Sequence, residues 1–280
     1  MRVMSGHGRL QACFTICVSL GLISQSIRMR SCQIIALSLP GSRRGSLLRS
    51  HLAGLGLDAT FLPGIYLEGP AESEASYDHA LRRRLLGYGL TSGEVGCFLA
   101  HKAAWAKVAA GETPCLILED DARLRDDAPD KLGELSSAIA GTKIMVRLFS
   151  QRHPGVKHWR RLPSGLDIVR PRSAGYSAVA YVLDPAAAKA LLLSSDRFWQ
   201  TVDDHMDDEG AHGCVIMHTL PELARHDDEG HSLIGERRKP PLSLLASTRR
   251  EWWRALRKLR LAWHREKTLW SLGLRWSRCR

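Results

Sequence analysis

The sequence lacks the features that mark several protein classes. Its seven cysteines form no Cys-x-x-Cys pair and no regular framework. An odd, unpatterned set in a chain of 280 residues indicates reduced thiols and a cytoplasmic setting, and it argues against both a disulfide scaffold and a zinc site. The chain also has no internal repeat and no low-complexity segment, which argues against a repeat architecture.

The N-terminal apolar stretch from Leu10 to Ile23 is too short for a membrane span, which needs about 20 apolar residues. Two interpretations of it remain. Preceded by arginines, it resembles a signal peptide. Alternatively, translation begins at Met29, an interpretation favoured by the polar interruptions at Thr15 and Ser19 and by a poor cleavage site. In either case residues 1–32 form an N-terminal extension.

Charge is distributed unevenly along the chain. Of the formal net charge of +11, residues 249–280 contribute +9 and residues 1–32 contribute +4, which leaves −2 for residues 33–248. The body is therefore a near-neutral globular domain without a basic stripe. This disfavours nucleic acid as a partner.

Apolar segments alternate between strand and helix patterns and predict an α/β protein. The opening strand, helix and strand at 33–39, 43–55 and 59–62 form a unit typical of a parallel sheet. Ser42, Thr91 or Ser92, and Asp184 are expected to cap helices. Further helices are predicted over 91–110, 126–140 and 185–193, and further strands over 115–118, 143–148, 166–170, 175–183 and 215–218.

Three consecutive carboxylates, Glu119, Asp120 and Asp121, follow the apolar run at 115–118. Oxygen ligands at the end of a buried strand suit Mg²⁺ or Mn²⁺, whose coordination is usually completed by substrate phosphates. Such a triplet is also compatible with a solvated turn or a helix N-terminus, where Asp is favoured. The residues alone leave both interpretations open.

A second acidic cluster follows about 80 residues later and comprises Asp203, Asp204, Asp207, Asp208 and Glu209. In open α/β sheets, ligands bind outside the carboxyl ends of the strands. The two clusters could meet there, with Asp203 or Asp204 as a general base toward a hydroxyl. A solvated helix start is the alternative.

Five segments occur in an order that resembles a known family. They are IIALSLPGSRRGSLLRSHLAGLGL, SGEVGCFLAHKAAW, CLILEDDARL, GYSAVAYVLDPAAAKALL and VDDHM. Together they resemble glycosyltransferase family 25, the lipopolysaccharide-biosynthesis and collagen-galactosyl group, over roughly residues 33–238. The resemblance implies a Rossmann-like, mixed or parallel nucleotide-sugar-binding sheet similar to the type A glycosyltransferase fold. It also implies a UDP-galactose or related donor and inverting transfer to a sugar hydroxyl.

The resemblance implies roles for individual residues. Asp121 with Asp120 would bind the Mn²⁺ or Mg²⁺ that bridges the donor diphosphate, and Glu119 would orient the ribose. Asp203 matches the acid of the family's Val-Asp segment, so that Asp203 or Asp204 would be the catalytic base.

Four further positions match the family and complete the implied donor site. Arg43 and Arg44 match basic positions after the first strand, where a helix N-terminus also favours phosphate. Glu94 and His101 fall in the family's Gly-Glu-x-Gly-Cys and Ser-His elements. A solvated helix face is the alternative for the two arginines, and a core histidine is the alternative for His101.

The C-terminal segment 241–280 follows Pro240 and predicts a basic amphipathic helix. Its apolar side carries Trp252, Leu256, Leu259, Trp263 and Trp270, whereas Arg254, Arg257, Lys258 and Arg265 lie away from it. Such a helix is typical of an anionic membrane surface. Packing on the body or on a partner is the alternative.

Three functions are therefore open. The first is a metal-assisted glycosyltransferase, 33–240, that extends a lipopolysaccharide, lipooligosaccharide or other glycan and is held peripherally on the inner face of the cytoplasmic membrane. The second is a catalytically inactive homologue that binds glycan or partners there. The third is a metal-dependent nucleotidyltransferase.

Overall fold

The structure is a computed structural model that describes residues 32–151, 155–173, 175–227 and 243–272. The N-terminal apolar stretch lies outside these ranges. So do Ser232 and Ile234, which resemble the Ser-x-Ile element that closes the family's domain. The predicted domain boundaries at 32/33 and 240/241 lie at or outside the limits of the ranges. The division into an extension, a body and a tail therefore stays a prediction.

An eight-stranded mixed sheet organises the body. Its strands are β1 Gln33–Ser38, β2 Thr60–Pro63, β3 Cys115–Glu119, β5 Ile144–Arg147, β6 Val156–Arg161, β7 Asp167–Pro171, β8 Ala180–Leu183 and β9 Val215–Leu220. Their order across the sheet is β2-β1-β3-β8-β5-β9-β7-β6, with β7 and β8 antiparallel to their neighbours. Two short strands, β4 Ala122–Leu124 and β10 Ala224–His226, pair separately.

Eight α-helices and a short 3-10 helix, Ala71–Ser73, accompany the strands in the described ranges. The α-helices are α1 Arg43–Gly54, α2 His79–Leu86, α3 Ser92–Ala109, α4 Pro129–Ile139, α5 Pro185–Ser194, α6 Val202–Met206, α7 Glu209–His212 and α8 Leu244–Ser271. Ser42 and Asp184 cap α1 and α5 as predicted. Thr91 caps α3 through a capping box with Glu94, in which each residue satisfies an otherwise free backbone N–H of the first turn.

The central strand β3 is apolar on both faces, and that is why it is buried between layers. Ile117 packs with α3 residues such as Phe98 and Trp105 in one cluster, whereas Leu116 and Leu118 pack with Leu48 of α1 in another. All three β3 side chains are fully buried. At about 1.5–3 kcal/mol for each large apolar side chain, this burial anchors the strand that carries the acidic triplet.

The predicted mixed α/β class is confirmed. The short elements β4, β10 and α7 were not predicted, and two larger differences concern the strands of the main sheet. The strand expected over 175–183 is limited to Ala180–Leu183, because Tyr176 has a φ of 48°, which interrupts an extended chain. Strand β6 was not predicted, since its sequence VKHWRR has no regular apolar alternation and its exposed side chains face solvent at the edge of the sheet.

Within the described ranges, every helix is either too short or too polar to cross a bilayer.

Candidate active site

The acidic triplet lies at the carboxyl edge of two neighbouring parallel strands. Leu37 of β1 is paired with Glu119 of β3, so both strands end at the same level. The turn after β1 leads into α1 and brings Ser38, Ser42 and Arg44 beside the residues that follow β3. This is the edge at which α/β sheets bind ligands.

Asp120 is held by three side chains from the β1–α1 connection. Its Oδ2 accepts hydrogen bonds from Ser38 Oγ at 3.2 Å and from Ser42 Oγ at 3.3 Å, and its Oδ1 lies 3.1 Å from Arg44 Nε. The close approach depends on Gly45, where a Cβ atom would lie 2.1 Å from Ser38 Oγ. Asp120 is therefore fixed in place by the fold.

Asp121 is less completely satisfied than Asp120. Its Oδ2 contacts the guanidinium of Arg44 and lies 3.0 Å from His226 Nε2, but its Oδ1 is buried without a hydrogen-bond partner. Burial, together with the nearby charge of Glu119, raises the pKa of Asp121, against the opposing effects of Arg44 and His226. A further positive charge at Oδ1 would stabilise the ionised form.

Glu119 is oriented by a buried chain of hydrogen bonds. Trp105 Nε1 donates to Tyr181 Oη at 2.9 Å, Tyr181 Oη lies 2.8 Å from His101 Nδ1, and His101 Nε2 lies 3.0 Å from Glu119 Oε1. Burial would raise the pKa of Glu119, but the hydrogen bond and charge of His101 outweigh it and the pKa is lowered. His101 is completely buried, so it acts on ligands only through Glu119.

Cys97 completes a compact group with His101 and Glu119. One ligand-capable atom from each residue lies within 4.8 Å of the others, and the thiol donates to Glu119 Oε1 at 3.7 Å. Both nitrogens of His101 are already engaged, which accounts for this grouping as a hydrogen-bonded core. Burial, then the charges of Glu119 and Asp203, raise the pKa of Cys97 well above its usual range.

Asp203 stands at the start of α6, whose first turn is capped by Thr201. Its Oδ1 is buried without a hydrogen-bond partner. Burial raises the pKa of Asp203 to about 7, and the charge of Glu119 is the next largest cause. Helix α3 joins the two acidic clusters of the sequence. His205 of α6 packs against the rings of Phe98 and Trp105 at 5.3 and 5.9 Å, and Cys97 and His101 of the same helix contact Glu119.

A cavity of about 820 Å³ opens beside Asp203. Its walls include Thr91 and Glu94 from the start of α3, Asp204 from α6, and basic residues from α2 and α8. The basic residues are Arg82, Arg83, Arg250, Arg254, Arg257 and Lys258. The cavity is large enough for sugar-sized ligands and carries polar groups at its rim.

The remainder of the second acidic cluster serves the fold. Asp207 pairs with Arg147 at 2.8 Å and with Arg265 at 3.4 Å, and Glu209 pairs with Arg170 at 2.5 Å. Asp208 contacts Arg260. Burial raises the pKa of Asp207, but Arg147 and Arg265 outweigh it and the pKa is lowered. Asp207 and Glu209 compensate buried arginines and Asp208 pairs with an exposed one, whereas Asp203 and Asp204 line the cavity.

The residues predicted from the sequence fall into three groups. Arg44, Asp120 and Asp121 are in direct contact, and Asp203 and Asp204 line the cavity together with Glu94. His101 and Glu119 form a third group, in which the fully buried imidazole contacts a partly exposed carboxylate at 3.0 Å. Arg43 is exposed on α1, where its solvated-face alternative stays open.

Some residues of the site carried no recognisable sequence signal. Tyr181 reads as an ordinary strand residue, but its hydroxyl joins Trp105 to His101. His226 lies 105 positions from Asp121, and only the pairing of β4 with β10 brings it there. Ser38 and Ser42 were visible as strand end and helix cap, without their contacts to Asp120.

A divalent cation fits the chemistry of this edge. The donors available are carboxylate oxygens, which Mg²⁺ and Mn²⁺ prefer, and Asp121 Oδ1 is a buried oxygen that lacks a partner. Both oxygens of Asp120 are engaged, so Asp121 is the better placed ligand. Mg²⁺ is commonly held by one or two carboxylates plus substrate phosphates.

The chain is similar to known proteins over the region that carries this edge of the sheet. The family profile "Glycosyltransferase family 25 (LPS biosynthesis protein)" matches residues 29–206, more than half of the chain. Proteins named "Inactive glycosyltransferase 25 family member 3" from Mus musculus and Homo sapiens are each 33% identical over 110 residues. A "Probable inactive glycosyltransferase 25 family member 3" from Bos taurus is 32% identical over 110 residues.

These matches cover 39% of this chain and 18–19% of each relative, so the chain spans less than a fifth of the relatives' length. The profile match includes the β1–α1 turn, the acidic triplet and Asp203. On that basis the chain belongs to glycosyltransferase family 25.

Proposed function

We propose that the chain is an active, metal-assisted glycosyltransferase that transfers a sugar from a UDP-sugar to a hydroxyl of a glycan acceptor. The observation that carries this proposal is that the protein has two acidic sites with different surroundings. One, at Asp120 and Asp121, contacts Arg44 and has a free carboxylate oxygen. The other, Asp203, lines a cavity of about 820 Å³.

The donor diphosphate would lie at the β1 and β3 edge. Arg44 belongs to the first turn of α1, where the helix N-terminus and a guanidinium both attract phosphate. Asp121, with Asp120, would hold Mn²⁺ or Mg²⁺. When bound, such an ion neutralises the negative charge that develops on the leaving UDP. UDP-galactose is the first donor to test.

Asp203 would be the general base toward the acceptor. In inverting transfer, the acceptor oxygen forms a bond to the anomeric carbon while the bond from that carbon to the diphosphate oxygen breaks. The acceptor proton passes to the Asp203 carboxylate, and the electron pair of the broken bond leaves with UDP. A carboxyl whose pKa is raised to about 7 is a stronger base than an ordinary Asp and is still ionised at neutral pH in part.

A second candidate is a catalytically inactive member that binds glycan or a partner. The names of the related mammalian proteins favour it. The ion pairs of Arg44 with both metal-ligand candidates also favour it, because a guanidinium can occupy the place of a cation. The two proposals differ in whether donor is consumed.

The deciding experiment incubates the purified chain with a panel of UDP-sugars, with glycan acceptors, and with Mn²⁺ or a chelator. An active transferase releases UDP and adds sugar to the acceptor in the presence of Mn²⁺. An inactive member binds UDP or glycan without releasing UDP from any donor. Transfer of a nucleoside monophosphate to the product would instead indicate a nucleotidyltransferase.

A further inference from the structure

The outward face of α8 carries a row of large apolar side chains. Trp252, Leu256, Leu259, Trp263 and Trp270 are exposed by 69%, 45%, 68%, 61% and 66%. With 3.6 residues per turn, they fall within an arc of about 60°. We call this row the α8 ridge. Contiguous apolar surface of this kind usually marks an interaction site.

The opposite face of α8 is committed to the body of the protein. Leu261 and Leu269 are buried, and the ring of Trp253 packs against Trp199 with centroids 5.6 Å apart. Leu261 lies about 180° from Trp252 around the helix. The helix therefore cannot bury the ridge by rotating without exposing these residues.

Ion pairs fix the same orientation. Arg257 pairs with Asp204 at 2.9 Å, and Arg265, itself buried, lies 3.4 Å from Asp207. Arg260 contacts Asp208. Two of the cations that the sequence assigned to a membrane, Arg257 and Arg265, thus neutralise acids of the body. The amphipathic pattern of α8 therefore has two causes: one face packs on the body of the protein, and the other exposes the α8 ridge.

Positive charge remains beside the ridge. Arg249 and Lys267 lie about 60° from Trp252 and are exposed, and Lys267 Nζ is 5.5 Å from the centre of the Trp263 ring. On that side the border of the ridge is cationic, whereas the other border has Ala255, Ala262 and Glu266. An anionic surface complements this arrangement, and a second copy of the chain would present the same cations.

We propose that α8 binds an anionic lipid bilayer through this ridge, lying in the plane of the interface. Trp is suited to this position because its ring is apolar and its N–H can bond at the headgroup level. Apolar insertion and lysine or arginine attraction to anionic lipid, about 1 kcal/mol for each cation, supply the two signals that stable attachment requires.

The binding surface is connected to the candidate active site through the same helix. Trp253, Arg254 and Arg257 of α8 line the cavity that holds Asp203. These three residues lie about 100–200° around the helix from Trp252, so α8 would stand between the bilayer and the cavity and form the wall that they share. The binding itself does not depend on catalysis, so it can fail or succeed separately from the proposed transferase activity.

The test is flotation of the full chain with vesicles of phosphatidylcholine alone or mixed with phosphatidylglycerol. We expect binding to the mixed vesicles, at least tenfold weaker binding of a Trp252→Ser, Trp263→Ser variant, and a selective loss of anionic preference in an Arg249→Ala, Lys267→Ala variant. A Leu193→Ser, Tyr66→Ser variant is the matched control, since these side chains are 79% and 77% exposed elsewhere. It should bind like the wild type.

Other occupants of the ridge give different results, and each would overturn the proposal. A dimer that dissociates in the double Trp variant, without vesicle binding by the wild type, identifies a second copy. Absence of vesicle binding both by the full chain and by a chain that starts at Met29 shows that the ridge does not bind a bilayer even when residues 1–28 are removed. Undiminished binding by the folded double Trp variant, checked by circular dichroism, places the membrane contact elsewhere.

Discussion

Arg44 Nε lies 3.1 Å from Asp120 Oδ1, and the same guanidinium also contacts Asp121. The guanidinium of Arg44 thus contacts both carboxylates that the sequence analysis predicts to be metal ligands. Binding of a divalent cation must either share these oxygens with Arg44 or displace it toward the donor phosphates. The relation between Arg44 and the ion can be measured without a donor.

Replacing Arg44 by Ala should tighten the binding of Mn²⁺ to the free protein several-fold, because a competing positive charge is removed from two acidic ligands. The affinity for UDP in the presence of Mn²⁺ should fall, because a phosphate contact is lost. Calorimetric titration with Mn²⁺ and then with UDP checks both. Arg49→Ala, on the same helix but stacked on Phe61 at 3.8 Å, is the control. Weaker Mn²⁺ binding by Arg44→Ala would show that Arg44 does not compete.

Tyr181→Phe should disturb Glu119 from a distance. The hydroxyl accepts from Trp105 Nε1 and contacts His101 Nδ1, so its removal leaves a buried donor unsatisfied and costs about 1–3 kcal/mol of unfolding free energy. We also expect a higher KM for the donor, since His101 no longer holds Glu119. Urea unfolding and donor kinetics measure the two effects.

The matched control for that variant is Tyr77→Phe. Tyr77 Oη is similarly buried and accepts from the backbone N–H of Leu90 at 2.7 Å. Its loss should lower stability without a comparable change in donor KM. Equal donor KM effects in the two variants would mean that Tyr181 is only structural.

Gly45→Ala should weaken the donor site through Ser38. A Cβ at this position would lie 2.1 Å from Ser38 Oγ and 2.9 Å from Ser38 Cβ, so β1 and α1 must move apart and the hydrogen bond from Ser38 to Asp120 is lost. We expect weaker UDP binding and no gain in stability. Gly54→Ala, at the end of the same helix with nothing within 4 Å of its Cβ, should instead stabilise by up to about 1 kcal/mol. Unchanged UDP affinity in Gly45→Ala would contradict this.

The raised pKa of Asp203 predicts the pH dependence of transfer. Below a pH of about 7 the carboxyl is protonated and cannot accept a proton, so kcat/KM should fall as the pH decreases through this value. Because the charge of Glu119 contributes to the shift, Glu119→Gln should move the acid limb to lower pH. A profile of kcat/KM with no limb between pH 5 and 8 would argue against Asp203 as the base.

The sequence was sufficient for the parts of this protein that depend on local pattern. Strands β1 and β3 are apolar runs, the caps at Ser42, Thr91 and Asp184 are short-range signals, and the acidic triplet stands directly after its strand. Each was predicted because its physical cause lies within a few neighbouring residues.

Contacts between distant elements were not predictable in this way. Nothing near His226 indicates Asp121 as its neighbour, and nothing in the run from Asp203 to Glu209 distinguishes the carboxylates paired with buried arginines from the two at the cavity. The left-handed Tyr176 likewise shortens a strand that its residue types favour. These outcomes are determined by tertiary packing.

The central claim is that two acidic residues have separate roles. Asp121 holds the donor, and Asp203 deprotonates the acceptor. The most direct test measures UDP affinity with Mn²⁺ and sugar transfer in Asp121→Asn and Asp203→Asn. Asp203→Asn should bind UDP like the wild type and lose transfer by about 10²–10⁴-fold, whereas Asp121→Asn should lose Mn²⁺-dependent UDP binding. Wild-type transfer by Asp203→Asn, or intact Mn²⁺-dependent binding by Asp121→Asn, would contradict the account.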